Sequence, residues 1–337
     1  MFALRNESSA LRKRLCVAGV AGATLALVLS GCGASSPSSE KGTPTIRVIE
    51  ANLHDPTILG AEAGNHLNIW SQCDPEVKVE ITAGEKVAEA VAANSADIGI
   101  ASPNRVIGGI SQGLEATIIG ASTPVWDQFL IVSANSKVKS FDELKGSTFG
   151  ISSFGSAGHY ATEKMARTEG WGKNDYKIVT MGSVDGIKAG LKSGTVDAFL
   201  WSAQTAFGME DEGSGRVLGN VRELVGPNAM NVVFASNTFI KEHPDEVKAF
   251  AECYYKAVAK VQDGKKVATT LFVDKWGIDP KVASKVIEDE LPLLSTDGKL
   301  SDDMLKGMLE ATQFTIESAK SLSYDDVKAM YTYWKEL

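Results

Sequence analysis

Two stretches one hundred positions apart share a layout: residues 90–102 read AVAANSADIGIAS and residues 190–202 read GLKSGTVDAFLWS. Each is a helix end, a polar or glycine turn, an aspartate, an apolar strand and a serine. Asp97 corresponds to Asp197, and Ser102 to Ser202. The letters alone fit any two helix–turn–strand units, but their serial order is more restrictive. Strands that alternate with helices require a parallel sheet covered on both faces. Two such α/β units in series predict two sheets. Ligands of open α/β sheets bind beyond the carboxyl ends of the strands. This places His54, Ser102 and Asn104 at one mouth and Ser153, Ser156 and Trp201 at another. Mouths that face each other make a cleft between lobes, a favoured setting for a small-molecule site.

The other segments follow the same alternation. Thr45–Ala51, Val77–Thr82, Asp97–Ala101 and Ala116–Ala121 read as strands. A helix capped by Asp55 or Thr57 runs to about Trp70. Lys86–Asn94 is helical, with Val87, Ala90 and Val91 on one face, and another helix follows Ser102-Pro103-Asn104. Trp126–Ser133 is a longer β-rich run. Tyr176–Thr180, Val196–Trp201, a short edge strand at Arg216–Asn220 and Asn231–Ala235 complete the strands. Beyond Thr238 nearly everything reads as helix, at about 244–263, 265–275, 280–290, 301–319 and 323–335.

Phe149–Tyr160, FGISSFGSAGHY, is a strand end, a tight turn and a helix start. The first turn of a helix has unpartnered N–H groups and a dipole that favours negative charge. Gly155 and Gly158 let a ligand approach the backbone, and Ser153, Ser156 and His159 add side-chain donors. The stretch predicts a seat for a small anionic or strongly polar group. The plainer reading is a strand-to-helix turn with Ser156 as N-cap.

The chain has 337 residues, 44% hydrophobic and 23% charged, enough for one or two sizeable cores. Its net charge of -8 argues against a nucleic-acid binder, which needs a basic face. No apolar run reaches the roughly 18–20 residues of a membrane span. Arg12, Lys13 and Arg14 precede an apolar run, Leu15 to Leu29, in the layout of a secretory signal peptide over residues 1–31. Leu29-Ser30-Gly31-Cys32 resembles the lipobox of bacterial lipoproteins, whose cysteine is lipidated and becomes the new N-terminus; a plain signal peptide with an incidental cysteine is the alternative. Residues 32–44 would then be a lipidated Ser/Pro/Gly tether reaching roughly 20 Å on random-coil scaling. Cys73 and Cys253 remain as a disulfide, which an extracytoplasmic location allows, or as two buried thiols.

Phe141–Gly146 (FDELKG), the Gly-Ser-x-x-His of Gly155–His159, the helix at Asp185–Leu191 and Gly194–Ala198 followed by Trp201 resemble the sulfonate/nitrate/taurine-type solute-binding proteins. These share the periplasmic binding protein type II fold with thiamine-precursor-binding proteins and are extracytoplasmic receptors of ATP-driven importers. The resemblance implies two α/β lobes joined by two crossing strands, Trp126–Ser133 and Asn231–Ser236. One lobe would comprise residues 45–125 plus 232–337, with its helical C-terminal segment packed on it, and the other residues 126–231. It also implies ligand contacts from His54, Ser102, Asn104, Thr123, Ser153, Phe154, Gly155, Ser156, Ala157, His159 and Trp201. Phe154 and Trp201 fit pocket and core equally. The partners implied are a small-molecule ligand, a permease with its ATPase, and the membrane through Cys32; monomer is the family expectation. No cofactor or nucleic acid is expected. Arg105 is the one arginine near the predicted mouths, and a direction back into its own helix is left open.

A secreted hydrolase using Ser156 is the rival reading, and against it a nucleophile elbow needs glycine where Phe154 stands. A tethered sensory or assembly module is another. His54, His66, His159 and His243 have no metal-ligand spacing. Sulfonate, nitrate, an aromatic acid and a pyrimidine all remain open as ligand.

Overall fold

Val48 lies beside Ile98 in parallel register, and Phe149 beside Ala198. Around these two pairings the chain builds two five-stranded sheets. The computed structural model describes residues 42–337. The signal peptide, Cys32 and residues 33–41 of the tether lie outside the described residues. The strands are β1 (Thr45–Glu50), β2 (Lys78–Ala83), β3 (Ile98–Ala101), β4 (Ala116–Thr123), β5 (Phe129–Ser133), β6 (Thr148–Ile151), β7 (Lys177–Thr180), β8 (Ala198–Trp201), β9 (Gly215–Asn220) and β10 (Asn231–Ser236). The first sheet has the order β2-β1-β3-β10-β4 and the second β7-β6-β8-β5-β9. Each has four strands running one way and one antiparallel strand inserted among them, β10 in the first and β5 in the second. The chain passes between sheets after β4 and returns after β9. This is the two-lobed α/β architecture expected from the alternation.

The helices are α1 (Gly60–His66), α2 (Val87–Ala92), α3 (Pro103–Ser111), α4 (Ala157–Thr168), α5 (Val184–Ser193), α6 (Ala203–Asp211), α7 (Arg222–Val225), α8 (Asn237–Glu242), α9 (Pro244–Asp263), α10 (Lys265–Thr269), α11 (Pro280–Asp289), α12 (Asp302–Thr315) and α13 (Tyr324–Ala329). The helix expected from Asp55 or Thr57 to Trp70 is broken into a 3-10 turn at Pro56–Ile58, α1, and a second turn at Trp70–Gln72. Asp55 caps the first turn by accepting the Thr57 N–H. The last expected helix, 323–335, ends at Ala329, and Tyr331 then bridges to Ile118 at the edge of the first sheet.

The sequence echo is a structural repeat. Asp97 accepts the Arg47 N–H at 2.8 Å, and Asp197 accepts the Thr148 N–H at 2.8 Å. Each aspartate thus ties the turn before one parallel strand to the start of its neighbour. At the turn itself, Asn94 has φ 54° and Gly194 has φ 77°, the left-handed geometry that ends a helix. At the far end, Ser102 and Ser202 are the N-caps of α3 and α6, and neither hydroxyl makes a capping bond.

Buried apolar side chains fill both faces of both sheets. Ile46, Val48, Ile98 and Ile100 pack against α9 through Phe250 and Tyr254. Trp126, Phe149, Tyr160 and Leu200 form the core of the second sheet. Cys73, ahead of β2, and Cys253 on α9 form a disulfide. The C-terminal helices reach both sheets. α9 packs on α1, α11 on α6, and α12 on α3 and α4. Lys164 of α4 pairs with Glu310 of α12, and Lys285 of α11 lies over the Phe207 ring of α6.

Candidate functional site

A serine stands at the N-cap position of three helices that start at strand ends: Ser102 on α3, Ser156 on α4 and Ser202 on α6. All three line one cavity of about 80 Å³ between the two sheets. About 10–15 Å³ suffices for one water, so the space suits a solute of few heavy atoms. The first sheet's side contributes Asn52, Asp55, Thr57, Glu85 and Arg105; the second contributes Ser152, Ala157, Gly158 and Trp201. Gln128, Met230 and Asn231 enter from the two passages between sheets.

The backbone of the α4 turn divides its donors in a definite way. Ser156 Oγ accepts the His159 N–H at 3.2 Å, and His159 Nδ1 accepts the Gly155 N–H at 3.0 Å. Gly155 has φ 79°, a left-handed conformation that favours glycine. These bonds leave the Ala157 and Gly158 amides, which lie on the cavity wall. Two helix-start N–H groups beside the dipole ends of α3 and α6 form an anion-favouring pole.

The opposite wall is acidic. Thr57 donates to Asp55 Oδ1 through its amide at 3.0 Å and its hydroxyl at 2.7 Å. Burial raises the Asp55 carboxyl above its usual range, against these Thr57 bonds. Behind it, Glu50 is 0% exposed, and neither of its carboxyl oxygens has a partner. Burial holds Glu50 protonated well above the usual carboxylate range, helped by Glu62 and Asp55. Ser102 Oγ and Gln128 Oε1, both on the cavity wall, are buried without a partner.

Of the residues expected at the site, the structure brings Ser102, Ser156, Ala157 and Trp201 to this cavity. His54 sits on an adjoining outer groove with Trp201, held by Glu62 Oε1 on its N–H and stacked on Trp276. Six of the expected residues stand elsewhere in the structure. Thr123 is fully buried and donates to Thr57 O, so it props the Asp55 turn instead of facing the cavity. Asn104 is fully buried inside the first lobe's packing and faces no cavity wall. The Gly155 N–H is taken by His159 Nδ1. His159 is buried and held neutral, its pKa lowered to about 4 by desolvation; with Nδ1 accepting, the ring proton sits on Nε2, on the Glu163 side, and His159 does not line the cavity. Ser153 and Phe154 turn to an outer groove with Ile316, where Phe154 is 63% exposed.

Arg105 does not point back into its helix. It lines the cavity, pairs with Glu85 Oε2 at 2.9 Å and donates to Ser153 Oγ. Several lining residues were missed in the sequence. Ser202 carried a usable signal as the counterpart of Ser102. Asp55 had one as a helix cap. Gln128 and Asn231 had only their position where the chain changes sheets.

The Ser156 hydroxyl has no imidazole on it, since the His159 ring faces Gly155 N–H and lies 4.0 Å from Glu163 Oε1. Among the described residues no cluster of His, Cys, Asp and Glu is arranged to hold a metal, and no helix is long and apolar enough to cross a membrane.

Two α/β lobes, twice linked, with a polar cavity at the facing strand ends, define the periplasmic-binding-protein class of fold. Within it the chain belongs to the NMT1/THI5-like family, whose model matches residues 74–264. It is 26% identical over 306 residues to a Bacillus subtilis (strain 168) protein provisionally named an aliphatic sulfonates-binding protein, across 89% of this chain and 90% of that one. Its fold matches the alkanesulfonate-binding protein SsuA from Xanthomonas axonopodis pv. citri, solved bound to MOPS, with TM-score 0.74 at 17% identity over 87% of this chain and 99% of that one. The desulfurization enzyme DszB also shares the fold, with TM-score 0.58 at 13% identity over 86% of this chain and 96% of that one.

Proposed function

We propose that the chain is an extracytoplasmic receptor that captures a small anionic or polar organic solute between its lobes and delivers it to an ATP-driven importer. The observation that carries this is the meeting of three helix starts, each with a serine at its N-cap position, at one inter-sheet cavity. The sulfonate-binding name of its relative supports the solute class. Residues 45–125 with 232–337 and residues 126–231 would act as two lobes hinged at the two passages between sheets. Ligand contacts made to both lobes exist only when they are closed, so the ligand shifts the open–closed equilibrium by its differential affinity. A lipid on Cys32 would hold the receptor at the membrane beside its permease. The fold alone does not separate receptor from enzyme. The receptor reading is favoured because the Ser156 hydroxyl is spent on capping, with no base beside it.

A thermal-shift screen across alkanesulfonates, nitrate, aromatic acids and pyrimidines tests this, because a ligand bound only by the native state raises Tm. Ser102→Ala with Ser202→Ala should abolish the shift while leaving the unliganded Tm nearly unchanged, since neither hydroxyl makes a capping bond. A full shift in that double variant would count against the cavity as the site.

A further inference from the structure

We propose that residues 52–55 form a gate on the cavity, and that His54, Glu62 and Trp276 are the latch that keeps it shut. This rests on the receptor reading above and deepens it by naming where a solute enters, but its test needs no solute.

The cavity has two rims. On the side of the groove that holds Phe154 and Ile316, its wall is Glu85 and Arg105, and Arg105 bars that side by its bonds to Glu85 and Ser153. On the side of the groove that holds His54, the shared wall includes Asn52, Asp55, Trp201 and Ser202. Across this second groove stand Lys188 of α5 and Gln204 and Thr205 of α6. Among the described residues no hydrogen bond or ion pair joins them to residues 52–55, whose bonds run to Glu62 and Thr57 of their own lobe. This rim can open without breaking a polar link between the lobes.

The loop is held from behind instead. His54 has φ 57°, the left-handed region that a side chain disfavours. Its N–H donates to Glu62 Oε1 at 2.6 Å, its Nε2 lies 3.6 Å from Glu62 Oε2, and its ring stacks on Trp276 with centroids 5.7 Å apart. Strained backbone persists only where its surroundings over-determine it, and it gathers at ligand clamps and switch regions. Packing does not hold the tip, since Leu53 is 46% exposed between the two cavity residues Asn52 and Asp55. None of His54, Glu62 and Trp276 lines the cavity, so each acts through the loop, as a positioning residue.

The platform under the His54 ring is itself unusual. Trp276 follows a π-helical turn, Thr270–Lys275, and its N–H donates to Leu271 O, five residues back, at 3.0 Å. Such wide turns are rare and recur at functional sites. Trp276 rests in turn on the fully buried Phe272, with ring centroids 5.1 Å apart. The C-terminal segment thus presents a braced ring to a strained residue beside the cavity. The His54 side chain is 50% exposed, and exposed pairs of this kind add little to the stability of a fold.

A reporter thiol on the cavity wall tests the inference. In the whole protein carrying Ser102→Cys, iodoacetamide modification of the peptide that contains position 102 is timed by mass spectrometry. Adding Trp276→Ala, or His54→Asn, which tolerates the left-handed backbone but lacks the ring, should speed modification by about five- to tenfold, the worth of one stacked aromatic pair. Trp276→Phe keeps a stacking ring and should restore the slow rate. Hydrogen exchange over residues 51–57 should rise in the same two variants while β3 and α9 keep their protection, which general destabilisation would not allow. Unchanged modification and exchange in both variants overturns the inference. So does a greater acceleration by Ser153→Ala than by Trp276→Ala, which would put the entrance at the other rim. Should Ser102→Cys fail to fold, hydrogen exchange in the Trp276→Ala and His54→Asn proteins decides alone. None of these outcomes depends on which solute binds, so the receptor reading stands or falls separately in the thermal-shift screen.

Discussion

Arg105, on the first helix after β3, donates to the hydroxyl of Ser153, on the turn after β6 of the other sheet. The same guanidinium is braced by Glu85 through its carbonyl and carboxylate, both at 2.9 Å. One side chain therefore links the two halves at the rim of the cavity it also lines. Removing the hydroxyl leaves Arg105 paired with Glu85, so the fold keeps its contacts and only the link is lost. Ser153→Ala should weaken affinity for the solute found in the thermal screen by about two- to tenfold, the range of one hydrogen bond. Titration calorimetry reads this, and an unchanged dissociation constant would mean the link does not contribute to closure.

Cys73 and Cys253 are joined across a sequence separation of 180 residues. The bond ties the turn before β2 to α9, which covers the first sheet. Long loops gain most from such a link, typically about 2–4 kcal/mol. Replacing both by serine, Cys73→Ser with Cys253→Ser, should lower Tm by several degrees and lower the denaturant midpoint with a steeper slope, because the unlinked unfolded chain is more expanded. Equal Tm values for oxidised, reduced and doubly substituted protein would refute this.

The His159 ring is buried and neutral, with a pKa of about 4 against 6.5 when unperturbed. The unfolded chain binds this proton first, so the contribution is fully present above about pH 6.5 and is lost as pH falls towards 4. Its size is roughly 3 kcal/mol. Wild-type stability should fall over that window. His159→Asn, which keeps an acceptor near the Nδ1 position, should fall less steeply in parallel denaturation curves. Parallel slopes in the two proteins would show that the ring does not carry the effect.

Glu290 is 0% exposed and neither of its carboxyl oxygens has a partner. Burial raises its pKa well above 4.5, reinforced by Asp55 and Asp127 and opposed by Arg222. Here the sign is reversed. The native state holds the proton longer, so stability is fully present below about pH 4.5 and is lost as pH rises through the native value. Glu290→Gln should therefore raise Tm at pH 8 more than at pH 5. A variant destabilised equally at both would contradict this.

Much of the second lobe was readable from local signals. Ser156 as N-cap, the strand to Ile151 and the helix to Thr168 follow from spacing along one segment. The echo at residues 90–102 and 190–202 held down to the bond: Asp97 and Asp197 take the same backbone partner in the two sheets. The site was less legible. His159 has the right type and spacing for an anion seat, but its ring folds back on Gly155 because the helix start needs that amide satisfied. Thr123 stands one strand end from the cavity, yet its hydroxyl points at Thr57. Neither orientation leaves a trace in the residue letters.

The order of the strands and most helices, the serial repeat and the serines that start α3 and α4 were written in the sequence, because period, caps and turns depend on neighbours a few residues away. Which groups share the cavity was decided only in three dimensions. Asp55, Arg105, Gln128 and Ser156 come from four separate stretches of chain, and the facing of two sheets alone sets their distances. So too with Cys73 and Cys253: their type allowed a bond, and only the packing of α9 on α1 beside them brought the sulfurs together.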